Sequence, residues 1–259
     1  MVASKDGDDV MSDFEEDAEF KSCWSGPTVR ITVGSNAQVF VIHKDILIEA
    51  SPVFKAMLSA GMIEQQTNEI TLPEDPARAF NILMVWAYGR NPPACTGDED
   101  SVVDAILTWK MADKYAMPQL QNVLIDELKE HWKQFHFYPR YLSWAVRNLP
   151  DTSELYKFLF DQLTYKLANR PYSYQLAPQD STLAASGLQC QEKRVRQLEN
   201  LLSMGEDSAK LFWAVQNLEK GKGSPARLEG CHYHVHADGE ECPQEDSTST
   251  EPEQSGADI

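Results

Sequence analysis

The hydrophobic positions of this chain begin in strict alternation. Val29, Ile31 and Val33 alternate with Thr28, Arg30 and Thr32, the period of a strand with one buried face. Gly34-Ser35-Asn36 is a turn, and Val39-Phe40-Val41-Ile42 is a second short apolar strand, so the two form a hairpin. The period then lengthens. His43 and Lys44 lead into a helical turn at Ile46-Leu47-Ile48. Ser51 reads as a helix N-cap with Pro52 at the first helical position and Val53, Phe54, Met57 and Leu58 as the stripe behind it. Ile70-Thr71-Leu72 is a third strand, stopped by Pro73.

From there the spacing is helical. Asp75 is expected to cap a helix carrying Phe80, Leu83, Met84, Ala87 and Tyr88. After a polar loop, Ser101 is expected to open a second, with Val103, Ile106, Leu107, Met111 and Tyr115 inward. Beyond Met117-Pro118, Leu120, Leu124, Leu128 and Trp132 step by four along a third, a stripe of the kind that usually forms core. Less regular helices follow over Tyr141 to Val146, Ser153 to Leu167, Gln191 to Met204 and Asp207 to Leu218. The last of these places Leu211, Phe212, Val215 and Leu218 on one side. The expected class is α+β, a short-stranded sheet flanked by a cluster of helices, followed by an all-α C-terminal extension.

Composition changes this picture mainly through charge. The net charge of −17 argues against a direct nucleic-acid or anionic-membrane binder, and no apolar run reaches the ~20 residues that span a bilayer. The charge is not evenly spread. Residues 1–20 hold eight acids and one base, residues 238–259 hold eight acids and no base, and residues 21–237 are nearly balanced. Both ends are poor in large apolar residues and read as disordered tails. The five cysteines have no framework spacing, and the scattered Cys23, Cys95 and Cys190 read as reduced thiols, with Cys231 and Cys242 a separate question. The expected setting is the cytoplasm, the nucleus or both. The expected divisions are an acidic tail at 1–25, a domain at 26–133, a helical extension at 134–220, and a His/Cys segment with an acidic tail at 221–259.

The residues Val29-Arg30-Ile31-Thr32-Val33-Gly34, Phe40-Val41-Ile42-His43-Lys44, Ser51-Pro52-Val53-Phe54-Lys55-Ala56-Met57-Leu58, Ile70-Thr71-Leu72-Pro73-Glu74-Asp75-Pro76, Trp86-Ala87-Tyr88-Gly89 and Ala112-Asp113-Lys114-Tyr115-Ala116-Met117-Pro118 stand in a familiar order. Together they resemble a BTB/POZ domain of the fungal type. The resemblance implies a BTB/POZ fold and a non-enzymatic module that binds proteins and self-associates as a homodimer or homo-oligomer. Some such domains are substrate adaptors of cullin-based ubiquitin ligases. They carry a hydrophobic-x-Glu motif after the Phe-x-x-Met helix, where this chain has Met62-Ile63-Glu64. The resemblance therefore implies a cullin contact at Met62 and Glu64. The alternative is an oligomerisation scaffold, for example a transcription-associated one, that meets no cullin.

One local cluster has metal-ligand chemistry. Cys231, His234, His236 and Cys242 could together fill a zinc shell of two thiolates and two imidazoles. The spacing is unlike a zinc finger. On an extended strand His232, His234 and His236 share one face while Cys231 points to the other. A hairpin at Asp238-Gly239 would return Cys242 without naturally joining all four. The bland reading is a docked terminal hairpin whose histidines are merely polar. No other cofactor is implied. His43 reads as a buried histidine tied to nearby backbone or to a carboxylate. Asp98-Glu99-Asp100 reads as a solvated loop before a helix, since it lacks the ligand pattern of a calcium loop. No Ser or Cys has a recognisable base and orienter.

Overall fold

The computed structural model of this chain describes residues 26–59, 61–175, 185–219 and 221–236. Both acidic tails and Cys242 lie outside these residues. The chain divides into two compact units at Leu124 and Ile125.

In the first unit, β1 (Thr28–Val33) and β2 (Gln38–His43) form the expected hairpin, with Val29 opposite Ile42 and Ile31 opposite Phe40. β3 (Glu69–Leu72) lies parallel to β1 on its other side, so the order is β2-β1-β3. The alternation does what its period requires. Val29, Ile31, Val33, Ile42, Ile70 and Leu72 are buried on one face. The hairpin turn needs a left-handed residue at Gly34, whose φ is +76° and where a Cβ would stand 3.2 Å from the Asp75 carbonyl oxygen.

The helices of this unit are α1 (Lys44–Ala50), α2 (Pro52–Ser59), α3 (Ile63–Thr67), α4 (Ala77–Ala87) and α5 (Glu99–Lys114), followed by the first half of α6 (Pro118–Gln134). Ser51 caps α2 as expected, its Oγ accepting the Phe54 N–H at 3.2 Å. Two caps differ from expectation. Asp75 does not cap α4, which Pro76 precedes without any side-chain cap. Its carboxylate instead accepts hydrogen bonds from Lys114 and Tyr115. α5 opens not at Ser101 but at Glu99. The cap is Asp98, whose Oδ1 accepts the Ser101 N–H at 2.7 Å, so the acidic run is the helix start itself. The buried stripe of α5 runs through Val102, Ala105, Ile106, Trp109 and Ala112, leaving Val103 and Leu107 half-buried.

The second unit takes the rest of α6 and adds α7 (Arg140–Asn148), α8 (Glu154–Asn169), α9 (Ala185–Leu202) and α10 (Glu206–Gln216). Single 3₁₀ turns stand at Pro171–Tyr174 and Pro225–Arg227. Its core is aromatic. Trp132 lies 4.9 Å from Phe137, 5.8 Å from Tyr141 and 5.4 Å from Phe158, measured between ring centroids, spacings at which edge and tilted contacts are favourable. α9 starts several residues before the apolar pattern suggests. It is held by side-chain bonds to the 3₁₀ turn, where Gln191 Nε2 donates to the carbonyls of Tyr172 and Gln175 at 2.8 and 2.7 Å. In α10, Leu211 is buried but Phe212 and Trp213 face outward. The expected one-sided stripe therefore holds at Leu211 and fails at Phe212. Among the described residues no helix is long and apolar enough to cross a membrane.

Candidate interaction surface

The segment that carries Met62 and Glu64 is short and fixed by its own bonds. Gly61 adopts a left-handed φ of +71°, and its N–H donates to Gln65 Oε1 at 2.7 Å. Thr67 Oγ1 donates to the Ile63 carbonyl at 2.9 Å. Asn68, also left-handed at φ +52°, closes α3 by donating its N–H to the Glu64 carbonyl at 2.9 Å. The Asn68 carbonyl in turn accepts the Arg30 N–H of β1 at 2.9 Å, which anchors the helix end to the sheet.

A five-residue helix cannot bury a full apolar stripe, so the side chains at its start project. Met62 is 53% exposed and Ile63 70% exposed, while Glu64 is half-buried in the first turn. An acid there complements the positive end of the helix. Met62 and Glu64 thus share one helix start, with Ile63, a residue the sequence reading did not single out, as its most exposed apolar group.

The sheet offers a second surface. Among the described residues β2 pairs only with β1, and no described strand lies on its other edge. Val39 and Val41 are 48% and 60% exposed on the face opposite the core. The continuous apolar run Val39-Phe40-Val41-Ile42 does not mark that face in the sequence, and only the strand order makes β2 an edge.

Behind these surfaces lies a polar link built on Tyr115. Ser51 Oγ donates to the Tyr115 carbonyl at 2.6 Å, and the Tyr115 ring stacks on Phe54 at 4.4 Å. The Tyr115 hydroxyl donates to Asp75 at 2.5 Å, and Lys114 Nζ reaches both oxygens of the same carboxylate at 2.9 Å. Burial, then the hydrogen bond and charge of Asp75, push the Tyr115 hydroxyl pKa far up. This is support for the fold.

His43 is half-buried, and its Nδ1 lies 2.9 Å from the Tyr88 hydroxyl. A surface hollow of about 600 Å³ is lined in part by Arg78, Asn81, Asp98, Ser101 and Asp104. Burial pushes the Asp104 carboxyl up against the opposing pull of Arg78, which pairs with it at 2.5 Å. The Ser101 hydroxyl donates to the Asp98 carbonyl at 3.0 Å, and among the described residues neither histidine nor cysteine lines the hollow.

Of the His/Cys segment the described residues are 231–236, and Cys231 to His234 form a turn rather than the extended strand considered from the sequence. The His234 N–H donates to the Cys231 carbonyl at 3.2 Å. Tyr233 is buried against Phe158, 4.9 Å between centroids, and its hydroxyl donates to Asp161 at 2.9 Å. His234 Nε2 meets Asp126 Oδ1 at 3.1 Å, with the His236 ring 6.0 Å from that of His234. Burial pushes the Asp126 carboxyl up, but the His234 contact and Lys129 outweigh it and hold the pKa below its ordinary value. Cys231 is exposed. Among the described residues no three His, Cys, Asp or Glu side chains converge as a metal would need, and Cys242 lies outside them.

Residues 19–131 match the BTB/POZ domain family. The chain is also 33% identical over 89 residues to BTB/POZ domain-containing protein 9 of Drosophila melanogaster. That similarity covers 34% of this chain and 12% of the fly protein.

Proposed function

With residues 19–131 a BTB/POZ domain, a protein-interaction domain, we propose that the whole chain is a non-enzymatic interaction protein. Its domain joins copies of the chain into a homodimer or homo-oligomer, and a partner is recruited beside it. The finer reading is a substrate adaptor of a cullin-based ubiquitin ligase, at work in the cytoplasm or nucleus. The observation that carries it is the projecting start of α3, where Met62 and Ile63 stand out from a helix tied to the sheet. Exposed apolar side chains on a rigid support bind without first paying the entropy of ordering. The helices beyond the domain would hold the substrate, raising its effective concentration at the ligase.

The second reading is an oligomerisation scaffold without a cullin. Val39 and Val41 on the β2 edge support it, because a sheet edge with exposed valines favours pairing with another chain.

One paired experiment separates the two. Cullins are recovered on the tagged chain and on its Glu64→Lys and Ile63→Asp variants, while light scattering reports each protein's mass. Cullin bound by the parent and lost in both variants, with mass unchanged, supports the adaptor. An oligomer that never recovers a cullin supports the scaffold. A monomer at micromolar concentration overturns self-association.

A further inference from the structure

The chain is acidic overall, yet cations gather at one place in the unit that begins at Ile125. Lys166 and Arg170 stand four positions apart at the C-terminal end of α8. One turn earlier, Gln162 Oε1 accepts the Ala226 N–H at 3.3 Å, which brings Arg227 alongside. The 3₁₀ turn that follows α8 tethers the other two groups. The Tyr174 hydroxyl donates to the Phe137 carbonyl at 3.0 Å, drawing in His136, and Arg194 Nε donates to the Ser173 carbonyl at 2.9 Å.

These five groups feel one another. Desolvation and then the charges of Arg194, Lys166 and Arg170 lower the pKa of His136. Burial and then Arg170 and Arg227 lower that of Lys166. Among the described residues none of the five forms an ion pair with a carboxylate. Arg194 is 6% exposed, and one of its buried guanidinium nitrogens has no hydrogen-bond partner. Cations commonly complement a helix C-terminus, which accounts for Lys166 and Arg170 but not for Arg194, Arg227 and His136. Like charges so gathered repel, and an anion relieves them.

We propose that this cluster is a carboxylate-binding site and that its occupant is the chain's own acidic segment, Asp238 to Ile259. Charge complementarity selects that segment, which holds eight carboxylates and no base. It follows His236 of the same unit after a single residue. Twenty-two residues can extend to roughly 70 Å, so reach sets no limit, and tethering supplies an effective concentration on the order of millimolar. Bound there, the tail screens a cationic face from other polyanions. The inference stands independently of the self-association and cullin readings.

Zero-length carbodiimide cross-linking of the full chain, mapped by mass spectrometry, tests it. Lys166 is expected to join carboxylates of residues 238–259 at low salt. The yield should fall roughly fivefold or more in 0.5 M NaCl, where the screening length drops to a few ångströms. A similar fall is expected in the Arg170→Glu, Arg227→Glu double variant. The salt arm decides the matter if that variant does not fold. A mixture of ¹⁵N-labelled and unlabelled chains reports whether the link is intramolecular. No link from Lys166 to 238–259, a salt-independent link, a link chiefly to the acids of residues 6–19, or a link between differently labelled chains would overturn the proposal.

Discussion

The Tyr115 hydroxyl donates a 2.5 Å hydrogen bond to the carboxylate of Asp75, forty positions earlier in the chain. That bond joins the end of α5 to the segment between β3 and α4, and Lys114 closes on the same carboxylate. A buried acid left without its donors would be costly, so the three groups stand or fall together. Tyr115→Phe is expected to lower stability by about 1–3 kcal/mol, measured as a shift in urea midpoint. Retention of the full midpoint would show the bond to be dispensable.

Tyr115, Tyr156, Tyr174 and Tyr233 all have their hydroxyl pKa raised above the ordinary 10.0, with burial the largest cause. A group whose pKa is higher folded than unfolded contributes stability that is whole below the unfolded value and is lost as pH rises toward the folded one. The chain should therefore lose stability progressively above about pH 10. The slope should be shallower in Tyr115→Phe and Tyr233→Phe, as followed by thermal melts across an alkaline series.

Asp126 shifts the other way, so its contribution is present above the ordinary carboxylate pKa of 3.8 and is lost as pH falls below it. Its side chain is half exposed, and such a pair contributes only about 0–1 kcal/mol. His234→Ala should cost no more than that near neutral pH. Its difference from the parent should shrink progressively as the pH of the melts falls below 3.8.

Ser51 is fully buried and both accepts the Phe54 N–H and donates to the Tyr115 carbonyl. Ser51→Ala removes the cap of α2 and strands its partners, and should cost about 1–3 kcal/mol. The exposed Ile63→Asp change should stay within about 0.5 kcal/mol. Chemical denaturation of the two side by side checks the contrast, and equal costs would mean that Ile63 is packed.

Most of the secondary structure could be read from local pattern. The alternation of Val29, Ile31 and Val33 implied one buried strand face, and the four-residue steps from Leu120 to Trp132 implied a buried helix stripe. Both follow from side-chain direction set within a few residues. Met62 and Glu64 could be placed together because they are neighbours in sequence. The exposure of Ile63 could not be foreseen, because it depends on what does not cover α3.

Sequence alone determined the order of the three strands and of the longer helices of the domain, though not the five-residue α3, and the split of charge into two acidic ends around a nearly neutral middle. Tertiary structure decided what each polar residue does. Asp75 had the place of a cap and became the acceptor for Lys114 and Tyr115, and Phe212 had a core spacing and faces outward. The gathering of His136, Lys166, Arg170, Arg194 and Arg227 is likewise invisible along the chain, since the first and last lie ninety-one positions apart. Periodicity is a property of neighbours, whereas a hydrogen-bond partner or an electrostatic field comes from residues that meet only after the chain has folded.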